Sequence, residues 1–148
     1  MKKIILLLFA AITMPAFGQT KEDSLSIKKA AIDYVEGWAK GDIARIQGAV
    51  SPELSKRRVA VAGDFVYVQD MSRSLLCVAA MGNAQGVRMP DLTPGKDMIQ
   101  EVKILDIDGN NASAKTWNAK YGFFDYIHLS KAGGKWVIIN VLWDMKGK

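Results

Sequence analysis

The stretch from Asp125 to Trp143, DYIHLSKAGGKWVIINVLW, constrains this chain more than any other feature. It reads as two apolar strands joined at Gly133-Gly134, a pair suited to the positive φ angles of a two-residue hairpin turn. Pairing Ala132 with Lys135 sets a register in which Ile127 faces Asn140 and Asp125 faces Leu142. One surface then carries Phe123, Asp125, Ile127, Leu129, Ile138, Asn140 and Leu142, and the other Phe124, Tyr126, His128, Ile139, Val141 and Trp143. A sheet that is apolar on both faces must have both covered. Helices from the first third of the chain cover one, and the other must meet a partner chain, expected to be a second copy, or be partly shielded by loops. Asp125 and Asn140 are therefore expected on one surface, and His128 with Tyr126 on the opposite one.

The chain opens with Lys2 and Lys3, the apolar run IILLLFAAI, Pro15 and the small residues Ala16 and Gly18. This is the pattern of a secretory signal peptide over residues 1–18, with cleavage expected between Gly18 and Gln19. The run is about half the length needed to cross a bilayer, so no stable membrane anchor is expected. No cysteine lies near the cleavage point to accept a lipid. The product is expected to be exported, periplasmic or secreted, and soluble, with residues 19–148 forming one domain. Losing Lys2 and Lys3 leaves 18 basic against 15 acidic residues. The only basic cluster is Lys56-Arg57-Arg58, which falls short of a nucleic-acid-binding surface. Cys77, the sole cysteine, is expected to pack rather than react, so stability must come from the core.

Asp23 or Ser24 caps a first helix whose apolar stripe is Ile27, Ala31, Tyr34, Val35 and Trp38. Gly41 suits a left-handed helix end. Asp42 caps a second helix carrying Ile43, Ile46 and Val50, and Ser51-Pro52 opens a third helical turn. RRVAVAGDFVYVQDM then reads as one or two modest strands broken at Gly63-Asp64. Ser72 caps a short helix that buries Leu75, Leu76, Ala79 and Ala80 and ends near Gly82. Residues 83–97 read as a loop, and from Met98 onward the period falls to two, giving a meander of at least four strands.

This order resembles the NTF2-like superfamily over roughly residues 24–145, through DYVEGWAKGDIARIQGAVSPEL, KILDIDGNNASAK and the terminal hairpin. It is most similar to the bacterial exported branch labelled "putative lumazine-binding". The resemblance implies an α+β cone in which N-terminal helices pack on a curved, mainly antiparallel sheet. It also implies a pocket at the open end, often with homodimerisation through the sheet's outer face. The superfamily holds isomerases, dehydratases, cyclases, transport factors and binding modules, so its fold does not choose a function.

Asp125, if it enters an apolar cavity beside Asn140, is a candidate general acid or base, since burial raises a carboxyl's pKa. Its structural alternative is a cap or a pairing with a lysine. His128 is the only histidine, which leaves no multi-histidine metal site. It is either a proton shuttle or a hydrogen-bonding group in a dimer contact. Asn140 serves a ligand or a structural hydrogen bond. DIDGNN fails as a calcium loop, because the sixth and twelfth places hold Asn111 and Trp117. No nucleotide or serine-hydrolase fingerprint occurs, and no cofactor or metal is expected. Lys56-Arg57-Arg58 reads as a solvated charge run, although Arg57 or Arg58 could reach the cone mouth and meet an anion.

The sequence thus favours a non-catalytic domain that binds a small, partly aromatic molecule. Tyr34 and Trp38 would line its pocket, and Asp125 and Asn140 would orient the ligand. The alternatives are a cofactor-independent isomerase or dehydratase using Asp125 or His128, and an interaction module whose cavity is filled by its own side chains.

Overall fold

A computed structural model describes residues 20–85, 101–118 and 121–146. The expected signal peptide, and residues 86–100 of the expected loop and first meander strand, lie outside these. Helix α1 (Lys21–Lys40), α2 (Ile43–Ala49) and α3 (Arg73–Ala84) accompany strands β1 (Val50–Ala62), β2 (Phe65–Met71), β3 (Glu101–Asp108), β4 (Asn111–Asn118), β5 (Phe123–Ala132) and β6 (Lys135–Met145). The strands form one curved sheet in the order β2-β1-β6-β5-β4-β3. All neighbours are antiparallel except β1 and β6, which run parallel. The helices pack on the inner face of this α+β sheet.

The α1 stripe is as the spacing predicts, with Ile27, Ala31, Tyr34 and Val35 buried and Trp38 packed against them. Its cap differs. Thr20 is the N-cap and accepts from the Asp23 amide, while the Asp23 carboxylate accepts from Lys131 Nζ and Trp136 Nε1, each at 2.8 Å. Those two bonds tie the start of α1 to the terminal hairpin. At the other end Gly41 is left-handed at φ 70°, and the Asp42 amide donates back to Gly37 O at 2.8 Å. Asp42 and Ser72 cap α2 and α3 as expected. In α3, Leu76, Ala79 and Ala80 are buried but Leu75 is exposed, and the helix continues past Gly82 to Ala84.

The expected helical turn at Pro52 is overturned. Val50 leaves α2 directly into β1, which absorbs Ser51-Pro52 at an irregularity in its pairing with β6. Proline is tolerated in a strand at such a break, where no ladder donor is needed. From there Leu54, Lys56, Arg58 and Ala60 alternate onto the inner face with period two.

The expected terminal hairpin register holds only near its turn. Ala132 pairs with Lys135 and Leu129 with Ile138, but His128 pairs with Asn140, so Ile139 is an extra residue in a β-bulge. Beyond it every β6 side chain is on the opposite face from the one a constant register assigns. Val141 is fully buried and Trp143 turns inward, whereas Asn140 and Leu142 turn outward. Strand β5 behaves as expected, with Phe123, Asp125, Ile127 and Leu129 buried and Tyr126 and His128 exposed. The core closes around Ile27, Ile46, Leu76, Ile127, Leu129, Ile138 and Val141. Each such side chain contributes about 1.5–3 kcal/mol when fully buried.

Candidate functional site

A cavity of about 200 Å³ opens between the helices and the inner sheet face. Tyr34, Val35 and Trp38 of α1 form one wall and Leu76 and Ala79 of α3 another. The sheet contributes Lys56 and Arg58 from β1, Gln69 and Met71 from β2, Phe123 from β5 and Trp143 from β6. Trp38 stands edge-on to Phe123, with ring centroids 5.6 Å apart, and leaves this space open. The described side chains thus do not fill this space themselves, against the interaction-module alternative.

Asp125 lies one layer behind this wall, with no exposed surface. Its Oδ1 accepts from Tyr34 Oη at 3.1 Å and from Lys56 Nζ at 2.9 Å, and its Oδ2 accepts from Thr116 Oγ1 at 3.0 Å. Lys56 Nζ also donates to Tyr34 Oη at 2.7 Å and sits 4.6 Å from the centre of the Trp143 ring. A buried carboxylate is stabilised by such convergent donors, and the ammonium is held by a counter-ion and an aromatic face together. Burial pushes the Lys56 ammonium below its ordinary range, an effect that Asp125 partly opposes. Burial and the neighbouring Asp125 charge push the Tyr34 hydroxyl well up, so Tyr34 is a neutral donor.

The structure thus brings Tyr34, Trp38 and Asp125 to one place and sends Asn140 and His128 elsewhere. Asn140 Nδ2 lies 3.1 Å from His128 Nδ1 on the outer face. The shared Asp125–Asn140 surface is corrected by the bulge. The solvated reading of Lys56-Arg57-Arg58 is corrected too, because a strand alternates its side chains. Lys56 is buried and Arg58 lines the cavity, while Arg57 points outward and pairs with Asp70 at 3.2 Å. The signal available in the sequence was the alternation Leu54, Lys56, Arg58, Ala60, together with the need of a buried Asp125 for a cation. Trp143, assigned to the opposite face by the constant register, forms the cavity's aromatic end. Cys77 is buried and burial raises its thiol pKa, in keeping with a packing role. Among the described residues no cluster of metal-ligating side chains occurs, and no helix is long and apolar enough to cross a membrane.

Residues 22–144 match the family described as "Putative lumazine-binding". No curated protein matches the chain. Among solved structures, an NTF2-like protein of unknown function from Silicibacter pomeroyi DSS-3 superposes with a TM-score of 0.64 at 16% identity, covering 86% of this chain and 99% of that one. An NTF2-like protein with a cystatin-like fold from Novosphingobium aromaticivorans gives 0.61 at 12% identity, with 84% and 82% coverage. A protein of the same organism titled "putative aromatic ring hydroxylase" gives 0.60 at 11% identity, with 88% and 94% coverage. Identities this low carry the fold alone.

Proposed function

The chain belongs to the family described as "Putative lumazine-binding", with an NTF2-like fold, and from that premise we propose that it binds a small ring-bearing molecule in the helix-covered cavity without transforming it. The observation that carries this reading is the wall itself. Four aromatic side chains, Tyr34, Trp38, Phe123 and Trp143, line a space of about 200 Å³ together with the polar side chains of Lys56, Arg58 and Gln69. Pockets for small molecules combine apolar and aromatic linings with a few fixed polar groups in this way. An apolar cavity of about 150 Å³ accepts benzene, so this one suits one ring or a compact fused pair. Asp125 serves the site indirectly, by holding Lys56 and Tyr34 in place.

The test is mass spectrometry of small molecules that co-purify with the protein, followed by calorimetric titration of whatever is released. A stoichiometric aromatic compound whose affinity drops at least tenfold in Trp143→Ala supports the reading. A clean protein that takes up no member of a panel of mono- and bicyclic aromatics refutes it.

A cofactor-independent proton-transfer enzyme is the second reading, favoured by one observation: the depressed Lys56 ammonium lies 2.7 Å from Tyr34 Oη at the cavity wall. In that case Lys56, rather than Asp125 or His128, is the group within reach of a substrate. Turnover on a ring substrate that Lys56→Met abolishes while binding persists would replace the first reading. We also propose export of the chain and a homodimer through the outer sheet face, where Tyr126, Ile139 and Leu142 are exposed.

A further inference from the structure

The cavity wall is chemically one-sided. Among the described residues its charged lining groups are Lys56 and Arg58, and no carboxylate lines it. Lys56 is already neutralised by Asp125 behind it at 2.9 Å. The acid on the neighbouring strand, Asp70, is taken up on the outside by Arg57 at 3.2 Å. Among the described wall residues Arg58 is therefore the cation whose charge no carboxylate balances. Its Nε donates to Gln69 Oε1 at 2.7 Å, and its guanidinium carbon lies 4.5 Å from the centre of the Trp143 ring. Those two contacts fix the plane of the group, while its Nη atoms have no hydrogen-bonding partner among the described residues. An oriented guanidinium with four N–H donors to spare is matched by a planar anion, which two of them bind through parallel hydrogen bonds.

We propose that the cavity selects a flat aromatic molecule bearing a carboxylate or an equally delocalised anion, with Arg58 as the residue that determines this preference. The inference rests on the cavity-binding reading above and adds the ligand's charge to it. The ring occupies the space between Trp38 and Trp143, and the anion meets the Nη donors of Arg58. A cationic or carboxamide-bearing ring of the same shape leaves those donors less well satisfied. Selection by charge follows from the wall having two cations and only one of them paired.

Benzoate and benzamide have nearly the same shape and differ in charge, so they are the probes. Isothermal titration of the full chain with each, alongside quenching of tryptophan fluorescence, gives two affinities. Benzoate is expected to bind at least tenfold more tightly than benzamide, and Arg58→Gln is expected to reduce that ratio to within about twofold. Arg58→Lys, which keeps the charge but not the fork, should fall between them. Circular dichroism verifies that each variant is folded, and Gln69→Ala provides a second route, since freeing the guanidinium should lower the benzoate-to-benzamide affinity ratio. Equal binding of the two probes, or a preference that survives in Arg58→Gln, overturns the charge assignment while leaving the cavity reading intact. Binding of neither probe, with tryptophan emission unmoved, overturns both.

Discussion

Lys56 Nζ lies 2.9 Å from Asp125 Oδ1, with 9% and 0% of the two side chains exposed. A pair this dry is costly to break from one side, because the survivor is left charged without a partner. Asp125→Asn is therefore expected to lose about 3–5 kcal/mol of stability. The double variant Lys56→Met/Asp125→Asn should lose clearly less than the sum of the two single changes. Urea unfolding of all four proteins gives the coupling, and strict additivity would mean the contact carries no mutual energy.

Alkaline titration reads the same lysine. Its native pKa is depressed by burial, against an ordinary value of 10.5, so between those limits the unfolded chain holds a proton that the native chain has released. Stability should rise with pH across that window, by at most about 1.4 kcal/mol per pH unit. Tyr34 acts in the opposite sense. Its native pKa is raised above the ordinary 10.0, so the native state keeps a proton that the unfolded state loses, and stability falls again above that point. Urea midpoints from neutral pH to about one unit beyond 10 should trace a maximum, and Lys56→Met should lack the rising limb.

Gly41 and Gly63 are both left-handed, at φ 70° and 60°, yet they should respond differently to alanine. A Cβ at Gly41 would lie 2.3 Å from Ala84 Cβ and 2.9 Å from Ala80 O, whereas one at Gly63 meets nothing within 4 Å. Gly63→Ala should cost only the conformational strain, about 1–2 kcal/mol. Gly41→Ala adds a backbone clash between α1 and α3 and should cost distinctly more. Thermal melts of the two variants decide it, and equal losses would contradict the packing described.

The outer face supplies a test of association. Ile139 and Leu142 are 41% and 53% exposed, and Leu142 lies opposite the 39% exposed Tyr126 on the neighbouring strand. Sedimentation velocity should give a dimer for the wild-type chain. Leu142→Lys should convert it to a protomer of unchanged circular dichroism. A wild-type protomer at micromolar concentration would mean that surface faces water.

The helices, the meander and their order were legible because each carries a long, uninterrupted period. The stripe Ile27, Ala31, Tyr34, Val35 repeats at helical spacing, and Phe123, Asp125, Ile127, Leu129 repeat at two. Two local departures escaped. Ser51-Pro52 carries a helix-start signal, but pairing with β6 draws the segment into a strand, a tertiary effect that outweighs local preference. That single reassignment converts Lys56 from a surface charge into the partner of Asp125. The bulge at Ile139 has no turn residue to mark it, since isoleucine is an ordinary strand residue, and it surfaces only when three strands are laid side by side. Of the site, Tyr34, Trp38 and Asp125 could be selected by their pattern. Arg58 stood open as a residue that could reach the cone mouth and meet an anion, whereas Trp143 turns inward only because of the bulge.

The extra residue at Ile139 also shows where this site is vulnerable to change. Pairing Ile139 as a regular ladder residue, with the length of β6 unchanged, would leave its composition untouched, yet it would turn Trp143 toward solvent and bring Asn140 indoors. Lys56 and Arg58 would lose the indole they share, and an amide would stand near the vacated place. What the cavity recognises is thus written in the register of a strand as much as in its letters, and relatives whose β6 has the same length but pairs without the bulge should differ in ligand while keeping the same fold.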